Sequence, residues 1–105
     1  LAIGSSSKNA PAILERIGLK DFFDAVADGN RIQRSKPDPE VFLLAAGLLG
    51  VFPKNCLVVE DAWAGVEAAL AGGMQVLGVG AAAAHPEATL AAASLQDIDL
   101  WAAIP

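Results

Sequence analysis

A chain of 105 residues has room for at most one domain, at roughly 150 residues per domain. Its 7 Lys and Arg against 12 Asp and Glu leave a net charge of −5, so it lacks the basic stripe that a nucleic-acid partner requires. With 54% hydrophobic and 18% charged residues it is too apolar for intrinsic disorder and short of charge for the large surface of a small domain. That shortage points to apolar surface covered by something outside the sequence.

In chain order, Leu1-Ala2-Ile3-Gly4 reads as a short buried strand running into the polar turn Ser5-Ser6-Ser7-Lys8-Asn9. A helix is predicted over Ala10 to Ile17, with Pro11 in its first turn, Ile13, Leu14 and Ile17 as its apolar stripe, and Gly18 as its stop. Phe22-Phe23 forms an apolar plug, and Ala25-Val26-Ala27 a short strand ending at Asp28-Gly29. The prolines of Ser35-Lys36-Pro37-Asp38-Pro39 push their predecessors toward extended geometry, so that stretch is a loop. A helix follows from Pro39 to Leu49, stopped by Gly50. Leu57-Val58-Val59 is an apolar strand ending on Glu60-Asp61, and Ala62 to Ala71 a helix with Val66, Ala69 and Leu70 on one face. Gln75 to Val79 is the next buried strand, Ala81 to Ala84 a loop, Thr89 to Ala93 a weak strand and Asp97 to Ile104 a terminal helix. Apolar strands alternating with helices predict a parallel sheet covered on both faces.

The apolar runs, such as Met74 to Ala84, fall short of the ~20 residues of a membrane span and are broken by glycine, so no membrane partner is expected. Leu1 to Ser5 has neither the basic region nor the apolar core of a signal peptide. The single Cys56 rules out an internal disulfide and cannot hold zinc alone, which fits a reducing cytoplasm. Cys56 itself reads as a small buried hydrophobe, His85 as an exposed residue, and Trp101 as the core anchor of the last helix.

Ligands of open α/β sheets bind beyond the carboxyl ends of the strands. Two polar clusters fall there: Ser5 to Asn9, and Glu60-Asp61. The serine turn taken alone reads first as a helix cap, but three serines followed by Lys8 and Asn9 exceed what a cap needs and also suit a phosphate cradle of hydroxyls and backbone N–H groups. Glu60 and Asp61 are adjacent carboxylates that repel unless a cation joins them; Mg²⁺ is held by such groups together with substrate phosphate oxygens. Asp61 also suits the cap of the next helix. Lys36 joins both clusters if its loop folds over the same edge, and is otherwise a solvated surface lysine. Trp63, directly after the acidic pair, either lines the site mouth or packs.

Taken together, Ile3-Gly4-Ser5-Ser6-Ser7, Ser35-Lys36-Pro37-Asp38-Pro39 and Val58-Val59-Glu60-Asp61-Ala62-Trp63-Ala64-Gly65 resemble, in order, the second, third and fourth motifs of the haloacid-dehalogenase-like phosphotransferases. Gly73 to Gly80 resembles the strand that follows in that family, so the resemblance runs from Leu1 to about Gly80. Ser5-Ser6-Ser7-Lys8-Asn9-Ala10-Pro11 looks most like the β-phosphoglucomutase branch. The resemblance implies that Ser5 holds the transferring phosphoryl group, Lys36 neutralises it, and Glu60 and Asp61 bind Mg²⁺. It also implies that Ser7, Lys8 and Asn9 grip the second phosphate of a sugar bisphosphate, with no role for the Ser6 side chain. Electrostatic stabilisation of the phosphoryl oxygens by such groups is the core of phosphoryl transfer.

The family's first motif, Asp-x-Asp on its first strand, is absent, as is the cap domain inserted after it. Asp97-Ile98-Asp99 has the spacing but reads as a helix start. In the family the missing strand lies between those placed here at Leu1 to Gly4 and Leu57 to Val59. Residues 1–105 are therefore expected to be the C-terminal part of a haloacid-dehalogenase-like core domain, a parallel Rossmann-like three-layer α/β sheet left incomplete. The missing N-terminal segment would bring the nucleophile, and the segment alone would be inactive. The implied reaction is Mg²⁺-dependent conversion of β-glucose 1-phosphate to glucose 6-phosphate through an aspartyl phosphate. The alternatives are a sugar-phosphate phosphatase of the same superfamily and, if the chain is complete, a non-catalytic α/β ligand-binding module.

Overall fold

The computed structural model describes residues 1–5, 7–19 and 21–92. Strand β1 (Ala2–Gly4) leads through the serine turn into helix α1 (Ala10–Arg16) and then to β2 (Ala25–Ala27). A long loop precedes α2 (Glu40–Leu49), and β3 (Leu57–Glu60), α3 (Trp63–Ala71), β4 (Gln75–Val79) and β5 (Leu90–Ala92) complete the order. Every strand pairing among the described residues is parallel. Pro11 enters α1 at its first turn, and Gly50 closes α2 in the left-handed conformation, at φ +70°, that glycine adopts without steric cost.

As expected of a sheet that lacks the strand between Leu1–Gly4 and Leu57–Val59, the strands form two pieces. β1 pairs with β2, Ile3 opposite Val26; β3, β4 and β5 form the other piece, with Val58 opposite Val76 and Gly78 opposite Ala91. Between β1 and β3 lies a cleft of about 640 Å³, lined by both strands and floored by Phe42, Ala45 and Ala46 of α2. Strands that face a neighbour on one edge alone stay partly open, so β1, read from the sequence as a buried strand, is only half-buried, and Val59 is 41% exposed. α2 packs on β1 and β2, α3 packs on β3 and β4, and the two helices touch. The core runs through Ala27, Val41, Phe42, Val66, Ala69, Met74 and Val76.

Other differences are local. Ile13 and Ile17 are 51% and 60% exposed, and Leu14 with Ala10 is what α1 buries. Phe22 stacks edge-on against Phe23 but stays exposed, so it plugs nothing. Gly80–Ala84 is a 3₁₀ segment and not a loop, because Gly78, which has no Cβ, lets the Ala82 carbonyl approach β4. His85 is buried, not exposed: its ring stacks on Trp63 at 4.6 Å and its Nδ1 accepts from the Glu87 N–H at 3.1 Å. Among the described residues no helix is long and apolar enough to cross a membrane. The terminal helix at Asp97 to Ile104, Trp101 and the end of the last strand at Ala93 lie outside the described residues.

Candidate active site at the carboxyl ends of β1 and β3

The loop carrying Lys36 does fold over the sheet edge. Its Nζ donates to Glu60 Oε2 at 2.9 Å and to the Gly4 carbonyl at 3.4 Å, and stands 4.7 Å from the centre of the Phe42 ring. One ammonium thus ties the end of β1 to the end of β3. Gly4 makes this possible: a Cβ there would lie 2.9 Å from Phe42, so the ring closes against β1 and supports the lysine from below. The Lys36 and Glu60 side chains are 19% and 9% exposed, which makes the pair a largely dry one.

Glu60 is held at every acceptor. Its Oε1 takes the N–H groups of Asp61 and Ala62, both at 3.1 Å, and its Oε2 takes Lys36. Glu60, and not Asp61, therefore satisfies the amides ahead of α3, whose N-cap position is Ala62. Its carboxylate reaches them because Gly65 leaves space over the first turn of α3; a Cβ at 65 would overlap it. Asp61 is left exposed, and none of the described side chains forms an ion pair with it. Trp63 is neither simply a mouth residue nor core: it is 48% exposed, its Nε1 donates to the Ala81 carbonyl at 3.2 Å, and its ring packs on His85.

In the serine turn, Ser5 Oγ accepts from the Ser7 N–H and Ser7 Oγ from the Asn9 N–H, both at 3.1 Å. Asn9 occupies the N-cap position of α1 without a side-chain capping bond. The hydroxyls fix the turn itself and leave the first amides of α1 uncapped by side chains. Ser7, Lys8 and Asn9 are exposed, and Ser6 lies outside the described residues. The turn is braced from β2: Ser5 N–H donates to Ala27 O at 2.9 Å and Gly29 N–H to Ser7 O at 3.0 Å. Asp28, buried at 6% exposure, accepts the Asn30 N–H at 2.8 Å. Asp28, Asn30, Phe42 and Gly65 were not among the expected site residues. Asp-Gly is a turn signal, but the contacts across to Ser7 carry no signature along the chain.

The arrangement presents one exposed carboxylate, one fixed ammonium and one hydroxyl-rich turn at the carboxyl edge of a parallel sheet. That is the place where open α/β folds bind ligands.

The chain belongs to the haloacid dehalogenase-like hydrolase family, whose model matches residues 1–73. It is 45% identical over 80 residues to the β-phosphoglucomutase of Bacillus subtilis, covering 76% of this chain and 35% of that protein. It is also 45% identical over 76 residues to the fructose-1-phosphate phosphatase YqaB of Escherichia coli, covering 72% and 40%. The crystal structure of a β-phosphoglucomutase from Clostridium difficile superposes with a TM-score of 0.89 at 36% identity, over 97% of this chain and 46% of that one. The chain spans less than half the length of each of these proteins.

Proposed function

We propose that residues 1–105 form the C-terminal part of a haloacid-dehalogenase-like core domain that transfers a phosphoryl group to or from a sugar phosphate. The observation that carries this reading is the position of Lys36, which bridges the ends of β1 and β3. A fixed ammonium there counters charge on a phosphoryl group held by the Ser5 hydroxyl. Ser7, Lys8 and Asn9 offer polar side chains to a second phosphate, for which charge-assisted hydrogen bonds are the strong ones.

The donor set fits Mg²⁺ through one oxygen-bearing group above all. Asp61 is exposed and carries no ion pair among the described side chains, and Mg²⁺ binds through one or two carboxylates completed by water and phosphate. Glu60 stands beside it with its oxygens engaged, so its part is to hold Lys36 and the turn and to add negative charge near the cation. When bound, the metal supplies Lewis-acid stabilisation of phosphoryl oxygens.

The nucleophile enters from outside these residues, on a strand lying in the cleft between β1 and β3. Both of its neighbours would then be paired on either side, and the apolar floor would be covered. Mutase activity is the preferred reading because of the Ser-Lys-Asn turn. Equal identity to a sugar phosphatase supports hydrolysis as the second.

The test uses the intact protein that carries this chain, with β-glucose 1-phosphate and a trace of glucose 1,6-bisphosphate. Formation of glucose 6-phosphate is the expected result. Release of free phosphate with no isomer would establish the phosphatase, and no turnover of any phosphate ester would reject both.

A further inference from the structure

The turn proposed to grip a second phosphate is exposed, and exposed turns do not hold side chains in place unaided. What holds this one is a neighbouring turn. Past β2, Asp28 accepts the Asn30 N–H at 2.8 Å and its carbonyl accepts the Arg31 N–H at 3.2 Å, which folds Asp28–Arg31 back on itself. The folded turn then reaches the serine turn at two successive residues. Gly29 N–H donates to the Ser7 carbonyl at 3.0 Å, and Asn30 Nδ2 donates to the Lys8 carbonyl at 3.1 Å. The second contact needs a side-chain donor. The amide nitrogen must face Lys8, because its oxygen would meet another acceptor there.

We propose that Asn30 is a positioning residue: through its amide on the Lys8 carbonyl it fixes the Ser7–Asn9 turn and so sets the affinity for the second phosphate of a sugar bisphosphate. This rests on the phosphate-binding reading of Lys8 given above. Asn30 itself touches no reacting group. Its role is to spare the ligand the ordering of the turn, which is a ground-state binding effect and shows in KM rather than in kcat.

The experiment compares Asn30→Asp, Asn30→Ala and Lys8→Ala with the unaltered intact protein, using glucose 1,6-bisphosphate as the varied ligand. Asn30→Ala removes the donor without adding charge and is expected to raise KM about three- to tenfold, the worth of one lost hydrogen bond, with kcat changed less than about twofold. Asn30→Asp keeps the shape but puts a carboxylate in place of the donor, so its KM should rise at least as far. Without ligand, Asn30→Asp should also speed amide exchange at Gly29, whose bond to Ser7 belongs to the same brace. An unchanged KM in Asn30→Asp, where Lys8→Ala raises it, overturns the inference. So does unchanged exchange at Gly29. An unchanged KM in Lys8→Ala overturns instead the second-phosphate reading on which the proposal stands.

Discussion

Lys36 is the residue on which most of the local order converges, and its removal separates two effects. Lys36→Ala leaves the nearly buried Glu60 carboxylate without its cation, and breaking a buried pair from one side costs about 3 kcal/mol. Adding Glu60→Gln to it should cost little more, because the orphaned charge is gone; a double-mutant cycle from urea melts reads this coupling. A strictly additive pair would mean that the 2.9 Å contact contributes nothing in solution. Asp61 makes a different prediction, one about activity. Asp61→Asn turns the exposed carboxylate into a neutral amide. If Asp61 holds the Mg²⁺ proposed above, this change should lower turnover of the intact protein by about 100-fold, or ~2.7 kcal/mol of barrier. The Mg²⁺ concentration for half-activation should rise as well. Normal activity at limiting Mg²⁺ would remove Asp61 from the metal site. Cys56 is half-buried and not the fully buried residue the sequence suggested, and this partial burial still pushes its thiol up from the ordinary value, so less thiolate is present at any pH near neutrality. Its alkylation by iodoacetamide at pH 8 should be slower than that of a free cysteine, and a rate equal to the free amino acid would contradict this.

At the scale of elements, two missing side chains shape the site as much as those present. Gly65 lies within the first turn of α3, where glycine weakens a helix, yet it is the residue that admits the Glu60 carboxylate. Gly65→Ala gains helix propensity and still should destabilise, by about 1–3 kcal/mol, because Glu60 must leave the amides of Asp61 and Ala62. A rise in melting temperature would show that Glu60 has another low-energy position. The contact between α3 and the 3₁₀ segment makes a milder case. Trp63→Phe keeps an aromatic ring beside His85 but loses the bond from Nε1 to Ala81. An expected loss of about 1 kcal/mol, readable by chemical denaturation, follows from one hydrogen bond. Ala10-Pro11 and Gly50 mark helix ends legibly because their chemistry is local. The exposed faces of Ile13 and Ile17 were not legible, because helical spacing identifies an apolar stripe without saying what lies against it.

Over the whole molecule the cleft is the dominant feature. Two parallel sheet pieces each leave an edge on it, and unpaired edges beside apolar surface are poorly tolerated in water. If a strand from outside residues 1–105 fills it, amides of both β1 and β3 should be protected from hydrogen exchange in the intact protein. The isolated 105-residue chain should in contrast bind the dye ANS through its open apolar floor. Equal dye binding by both would mean that the cleft stays open and that the nucleophile enters elsewhere.

The sequence by itself determined the order of strands and helices, their parallel sense and the short motifs, because apolar periodicity, proline and glycine act over a few residues. It also located Ser5, Lys36, Glu60 and Asp61 at strand ends or in a loop. Tertiary structure decided the rest. That Lys36 reaches Glu60 across 24 positions, that Glu60 rather than Asp61 takes the amides before α3, and that Asp28–Asn30 braces the serine turn are all consequences of side chains meeting across the sheet. Burial of His85 is of the same kind: Trp63 and Glu87 surround it, and only the folding of the 3₁₀ segment onto α3 brings them together. Contacts between distant segments depend on how elements pack, and no local pattern of residue types encodes that packing.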